Sequence, residues 1–139
     1  KRVANSVIAQ GADVIFAMGD NASFGYLQAI ETAKPGHKVW FIGDIGDMTP
    51  IDKNHVFLSS VLWNFADTFK QAVKDIEAGT YGTHGYDLSL KNGGVSLLKS
   101  KYIPAKTWAE ITAAKAKIMS GKIKIPAASK AGQVQQLIK

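Results

Sequence analysis

Apolar residues along this chain follow two rhythms. Three stretches are nearly continuous: Asp13-Val14-Ile15-Phe16-Ala17-Met18, Val39-Trp40-Phe41-Ile42-Gly43 and Val56-Phe57-Leu58-Ser59-Ser60-Val61-Leu62. Runs this short, bounded by Gly, Asp and Pro, predict buried strands of a parallel sheet. Elsewhere apolar residues recur every three or four positions, which predicts helices. Lys1–Gln10 pairs Val3 with Val7 and meets Gly11, a helix-ending residue. Phe24–Lys34 turns Leu27 and Ile30 inward and stops at Pro35-Gly36. Phe65–Ala78 carries the stripe Phe65, Phe69, Ala72, Val73 and Ile76. Asn64 caps it, Asp67 sits in its first turn as a weaker capping-box acid, and Gly79 ends it. Ala105–Met119 follows Pro104 and turns Trp108, Ile111, Ala114 and Ile118 inward.

The first strand, the helix after it and the second strand form a βαβ unit, whose crossover is expected to be right-handed. Two further segments alternate. Tyr86–Leu90 and Val95–Leu98, joined by Lys91-Asn92-Gly93-Gly94, predict a hairpin. Lys122-Ile123-Lys124-Ile125-Pro126 predicts an edge strand guarded by Lys and Pro. Ala127–Lys139 reads as a short terminal helix or a frayed tail. The fold class is therefore α/β, with a parallel sheet flanked by helices.

Composition narrows the functional classes. The 139 residues suffice for one domain with a real core. With 46% hydrophobic and 20% charged residues, the chain is not disordered as a whole. No apolar run reaches membrane-spanning length. The absence of Cys excludes disulfides and thiolate metal sites. The chain opens on Lys1-Arg2-Val3 inside a helix pattern and without Met, so the expectation is a chain cut from a longer protein. Its net charge of +6 is uneven: nine Lys against one Glu fall in Lys99–Lys139, and the remainder is −2. These Lys residues come without Arg clusters or interleaved aromatics, so they read as a solvated basic face and not a nucleic-acid site.

Candidate chemistry gathers around Val39–Asn64, where strands stop abruptly at Gly and Asp. Open α/β sheets bind ligands outside the carboxyl ends of their strands. Gly19-Asp20-Asn21-Ala22-Ser23 marks another such strand end. Its backbone N–H groups and the positive helix end favour an anion or polar ligand, and an ordinary N-cap is the competing reading. The loop is neither a Walker motif nor a Gly-x-Gly-x-x-Gly fingerprint. For Asp44 and Asp47 three roles are open: acceptors for ligand hydroxyls or amines, a Mg²⁺ or Ca²⁺ site shared with Asp20, or a solvated turn. Trp63 either stacks on a flat ligand or belongs to the core. His37, His55 and His84 are scattered, none paired at metal-ligand spacing, and no Ser sits in a nucleophile elbow.

Five segments in order carry a resemblance: G-A-D-V-I-F at Gly11–Phe16, V-W-F-I-G-x-x-x-D-M at Val39–Met48, L-S-S-V-L-W-N at Leu58–Asn64, K-N-G-G-V-S-L at Lys91–Leu97, and K-A-K-I-M-S-G-K-I-K-I-P at Lys115–Pro126. Together they resemble the basic membrane protein family of ABC-transporter solute-binding proteins, also called purine-nucleoside-receptor-like. The resemblance spans nearly the whole chain but only the C-terminal half of such a protein. It implies a type I periplasmic-binding-protein fold, two α/β lobes on a hinge that close on a ligand. Residues 1–62 would then be part of the C-terminal ligand-binding lobe. Residues 63–139 would hold the hinge crossover, a helix packing on the first lobe, and C-terminal segments.

The implied function is an extracytoplasmic solute-binding protein of an ABC importer. It would take a purine nucleoside, a nucleobase or a related small polar ligand, and deliver it to an ABC permease. The resemblance further implies no cofactor, metal, nucleic acid or catalysis, and a lipid anchor through a missing N-terminal half, present in the same or a separate chain. Carried over by position, Gly19, Asp20 and Asn21 fall on the family's strand-end loop. Asp47 falls on the second Asp of its D-x-D pattern, and Ser60 and Trp63 on the crossover strand. Ile45 stands where the pattern has its first Asp, with Asp44 one position earlier, so a shifted loop or a base in place of a nucleoside is the corresponding expectation. The stripe of Phe65–Ala78 would lack its partner lobe here, and an exposed stripe of that kind is an association site. Two other readings stand beside transport: a sensor or regulator on the same scaffold, and a metal-dependent hydrolase using Asp20, Asp44 and Asp47.

Overall fold

The computed structural model describes residues 1–44, 46–126, 128 and 130–137, and in it the three apolar runs become one sheet. Helix α1 (Arg2–Ala9) leads to strand β1 (Val14–Phe16), α2 (Ala22–Thr32), β2 (Trp40–Gly43) and β3 (Phe57–Trp63). Then come α3 (Ala66–Glu77), β4 (Val95–Leu97), α4 (Ala105–Met119) and α5 (Ala131–Leu137). The sheet order is β1-β2-β3-β4. β1, β2 and β3 run parallel, as the βαβ pattern requires, and β4 joins antiparallel. Lys1–Pro104 and Ala105–Lys139 form two compact units. Among the described residues no helix is long and apolar enough to cross a membrane.

The core of the first unit lies where α2 packs on β2. Leu27 and Ile30 are buried there, as their spacing predicts, together with Phe41, Phe57 and Val39. The β2–β3 register pairs Phe41 with Phe57 and then Ile42 with Ser59, so Leu58 is an extra residue in β3. A bulge of this kind re-aims the strand beyond it. β1 departs from the fully buried strand expected. Ile15 and Ala17 are buried, whereas Val14 and Phe16 are exposed: successive side chains point to opposite faces, and at β1 only one face is covered.

Two alternating segments also depart from expectation. Of the predicted hairpin only Val95–Leu97 forms a strand, and it pairs with Val61–Trp63 of β3 instead of with Tyr86–Leu90. Asn92 explains the difference. Its carboxamide oxygen accepts from the Ser89 and Gly94 N–H groups, and its amide donates to Asp87 O, which winds 87–94 into a turn. Lys122–Pro126 forms no strand, and its Ile123 and Ile125 are exposed. In α4 the half-buried positions include Trp108, Ile111, Ala114 and Ile118, the expected stripe, but none is fully buried. Of the terminal segment, Ala131–Leu137 is helical, and Ala127, Ser129, Ile138 and Lys139 lie outside the described residues.

Helix α3 is amphipathic as predicted, with its apolar face in the open. Phe69, Val73 and Ile76 are 66%, 53% and 60% exposed. Asn64 Oδ1 accepts from Ala66 N at its start. Asp67 pairs with Lys70 on the surface, a contact of little energetic consequence. The opposite face holds Asp75, a buried carboxylate that accepts from Tyr86 Oη at 2.6 Å and Gln71 Nε2 at 2.8 Å, with His84 Nε2 at 3.3 Å. This cluster fastens the 80–86 loop to α3.

The Tyr86 hydroxyl, and after it the Gln71 amide, hold the Asp75 carboxyl below its ordinary range, against the opposing effect of burial. The same hydrogen bond, followed by burial, pushes Tyr86 up to about 12. A raised phenol stabilises the fold below its ordinary value of 10.0, and that contribution disappears as pH rises through about 12. A lowered carboxyl stabilises above 3.8, and its contribution is lost as pH falls through its depressed value. Tyr86→Phe should therefore lose less stability than the parent both across the alkaline interval and on acidification below 3.8, where the interval over which Asp75 loses its contribution is shortened. Urea unfolding as a function of pH measures both. Superimposable pH profiles for the two proteins would show that the hydrogen bond does not form in solution.

Candidate ligand site at the strand ends

Because β1, β2 and β3 are parallel, their carboxyl ends open on one edge of the sheet. The chain leaves β1 through Gly19-Asp20, β2 through Asp44, and β3 through Trp63. There a cavity of about 470 Å³ is lined by Asp20, Asp44, Gly46, Trp63 and Phe65. Three of the seven residues expected at a ligand site thus meet in one place.

Its hydrogen bonds are mostly internal. Trp63 Nε1 donates to Asp44 O at 2.6 Å, tying the end of β3 to the end of β2. The fully buried Ser23 donates its hydroxyl to Asp44 Oδ1 at 3.4 Å, from the first turn of α2. Gly46 N donates to Val61 O at 3.1 Å. Gly46 takes φ 110°, a conformation that favours glycine and lets the loop fold back along β3. Asp20 also has positive φ, at 44°, which Asp tolerates better than most residues. Its carboxylate makes no hydrogen bond or ion pair among the described residues.

An aromatic ladder forms the wall. Trp63 stacks on Phe65 with centroids 6.5 Å apart and planes 17° from parallel, and Phe65 continues to Phe69 at 6.0 Å. Trp63 is 49% exposed, so it is a wall residue and not core. With its indole N–H already engaged, what it offers a ligand is its π face.

The other expected residues sit differently. Gly19 is half-buried at the turn into α2, and a Cβ there would come within 3.2 Å of the Ala22 Cβ. Asn21 is exposed, and its side chain does not cap α2. Two N–H groups of this loop, those of Ala22 and Ser23, are used by Gly19 O and Asp20 O, which weakens the case for an anion cradle. Ser60 is fully buried and faces β2, its Oγ 3.0 Å from the place a Cβ on Gly43 would occupy. Asp47 is exposed and accepts from Thr49 N at 2.8 Å, opening the short turn Thr49–Ile51. It lines a different cavity, of about 430 Å³, with Asp52, His55 and Tyr102. Ile45, the departure from the family pattern, lies outside the described residues.

Gly46 and Phe65 were not anticipated as site residues. Phe65 reads in the sequence as the first member of a helix stripe, and the same side chain serves both surfaces. Its signal was its position two residues past Trp63, where the strand has ended and the helix has not begun. Among the described residues no three His, Asp or Glu side chains converge to hold a metal ion. What the arrangement can do is accept hydrogen bonds through carboxylates and stack a flat group on Trp63.

The chain matches the family described as ABC transporter substrate-binding protein, PnrA-like, over residues 1–129. Among curated proteins none matches it. A solute-binding protein of an ABC transporter system from Aeropyrum pernix K1 superposes with TM-score 0.82 at 20% identity, over 99% of this chain and 46% of that one. Another, from Conexibacter woesei DSM 14684, gives TM-score 0.63 at 23% identity, over 90% and 41%. A transcriptional activator of the comK gene from Bacillus halodurans gives 0.71 at 20% identity, over 91% and 43%. The chain thus spans between 41% and 46% of the length of these structures. At these identities the likeness shows the fold, the α/β lobe of the solute-binding type expected from the sequence.

Proposed function

The chain belongs to the PnrA-like family of ABC transporter substrate-binding proteins, and from that premise we propose that it binds a purine nucleoside or nucleobase at the strand-end cavity and delivers it to an ABC permease outside the cytoplasm. One observation carries this reading: Asp20 and Asp44 meet the exposed Trp63–Phe65 wall at the carboxyl ends of parallel strands. Carboxylates accept from ribose hydroxyls or base N–H groups, and Trp63 stacks the base. In this reading Asp44 takes the role of a ribose or base ligand. Gly19 and Asn21 shape the loop, and Asp47 and Ser60 hold the β2 exit and the β2–β3 contact. The protein performs no chemistry, and closure of two lobes supplies the grip. Residues 1–62 furnish this lobe's share of the cleft. Beyond Trp63 the chain crosses to the other lobe, against which the exposed face of α3 packs, with a lipid anchor at the start of the complete protein.

The test is titration calorimetry of the protein as the cell makes it, with adenosine, guanosine, inosine and their bases. Stacking of a base on an aromatic contributes about 1–3 kcal/mol, so Trp63→Ala should weaken binding by about 5- to 150-fold. No heat with any purine in a folded protein would overturn the nucleoside reading. The Bacillus halodurans structure, titled as a transcriptional activator, favours a second reading, a regulator on the same scaffold. Co-purification with a permease separates the two.

A further inference from the structure

Among the described residues the strand-end cavity holds two carboxylates, two aromatic faces and a glycine, and no Lys, Arg or His lines it. Three donors at its wall are engaged within the protein: the Trp63 indole N–H by Asp44 O, the Gly46 N–H by Val61 O, and the adjacent Ser23 hydroxyl by Asp44 Oδ1. Its free side-chain capacity is therefore acceptor capacity, since ionised carboxylates cannot donate. A neutral ligand can supply donors to Asp20 and Asp44. It leaves both negative charges without a counter-charge, which a positive charge on the ligand supplies. The half-exposed Trp63, backed by Phe65, presents a π face, and aromatic faces attract cations.

We propose that the ligand of this cavity is cationic: a flat heterocycle carrying positive charge on its ring, stacked on Trp63 and neutralised by Asp20 and Asp44. The inference rests on the reading above that the strand-end cavity is the ligand site, and it narrows the ligand from purines in general to positively charged ones. Such a ligand uses every group the cavity offers, the π face for the ring and the carboxylates for its charge and N–H groups.

The experiment uses pairs of probes alike in shape and different in charge. 1-Methyladenosine, a ring cation, is compared with its neutral isomer N6-methyladenosine. 7-Methylguanosine at pH 6, where it is cationic, is compared with guanosine. Calorimetry is run on the protein as the cell makes it, on Asp20→Asn/Asp44→Asn, which removes charge and keeps shape, and on Trp63→Ala. The expected result is a preference for each cation of about tenfold or more, collapsing to within about twofold in the double variant. Equal or tighter binding of the neutral members, weakened by Trp63→Ala, would overturn the charge inference and leave the site standing. A cation preference that survives the double variant would overturn it too, since the charge would then be read elsewhere. No binding of either pair would overturn the inference together with the nucleoside reading beneath it.

Discussion

Phe57→Ala should destabilise the protein by about 3–5 kcal/mol, the range for removing a fully buried aromatic ring. Phe57 is 1% exposed and its partner Phe41 is 0% exposed, with centroids 5.9 Å apart. The place a Cβ on Gly43 would occupy is only 3.2 Å from the Phe57 ring and 3.0 Å from Ser60 Oγ. The ring thus lies between the β2 backbone at Gly43 and the Phe41 ring, and the hydrogen-bonded sheet cannot readily collapse into the space it would leave. The void would persist, and voids that persist are what set the upper end of the cost. Urea unfolding with an unchanged m-value is the measurement. A loss below about 1 kcal/mol would mean that the two strands close on each other and that the core is softer than its geometry indicates. Phe69→Ala gives the contrast. That ring is 66% exposed on α3, so its removal should shift stability by no more than about 0.5 kcal/mol in either direction. Under the proposed function its effect appears instead in the docking of the other lobe.

The difference between those two phenylalanines also marks how far the sequence could be read. Strands β2 and β3 and helices α2 and α3 follow from local rhythm, because burial in a parallel sheet and one apolar face on a helix, buried in α2 and exposed in α3, leave periods that neighbours along the chain display. Where the structure departs, the deciding contact is distant. The Tyr86–Leu90 segment has the alternation of a strand, but β3 already takes Val95–Leu97 as its partner, and Asn92 closes the intervening turn through three hydrogen bonds. Val14 and Phe16 look like core and are exposed because only one face of β1 is covered, which a continuous apolar run does not reveal. In the site, the strand-end rule was enough to bring Asp20, Asp44 and Trp63 to one place. It did not separate Asp44 from Asp47. That division depends on Gly46, whose left-handed backbone turns the loop back along β3 before Asp47 is reached. Phe65 was legible as helix and not as wall because a periodic pattern records burial against one surface at a time.

Asp52→Ala carries the other large effect, and it links the core to the site. Asp52 is buried, and both of its carboxylate oxygens are engaged: Oδ1 accepts from Val56 N at 3.0 Å and Oδ2 from Phe57 N at 2.9 Å. The chain reaches β3 through His55, which has φ 56°, so the two amides that follow enter the strand pointing at this carboxylate. Truncation leaves two buried N–H groups without partners, at about 1–3 kcal/mol each, for a total of about 2–6 kcal/mol. Asp52→Asn is the sharper test. Its oxygen can still serve one amide, but its NH₂ then meets the other donor, so it should recover no more than about half of the loss. Hydrogen exchange reads the same event locally: the Val56 and Phe57 amides, protected in the parent, should exchange faster in both variants than those of α2. If Asp52→Asn matched the parent in stability and exchange, the carboxylate would not be what seats the strand. Phe57 and Trp63 are the two ends of the same strand, and Trp63 Nε1 donates to Asp44 O across the strand ends. Under the proposed function, Asp52→Ala should weaken ligand binding by destabilising β3 although Asp52 lies outside the cavity that Asp20 and Asp44 share, and the loss should be reversed by conditions that stabilise the fold, as a loss at Trp63 itself would not be.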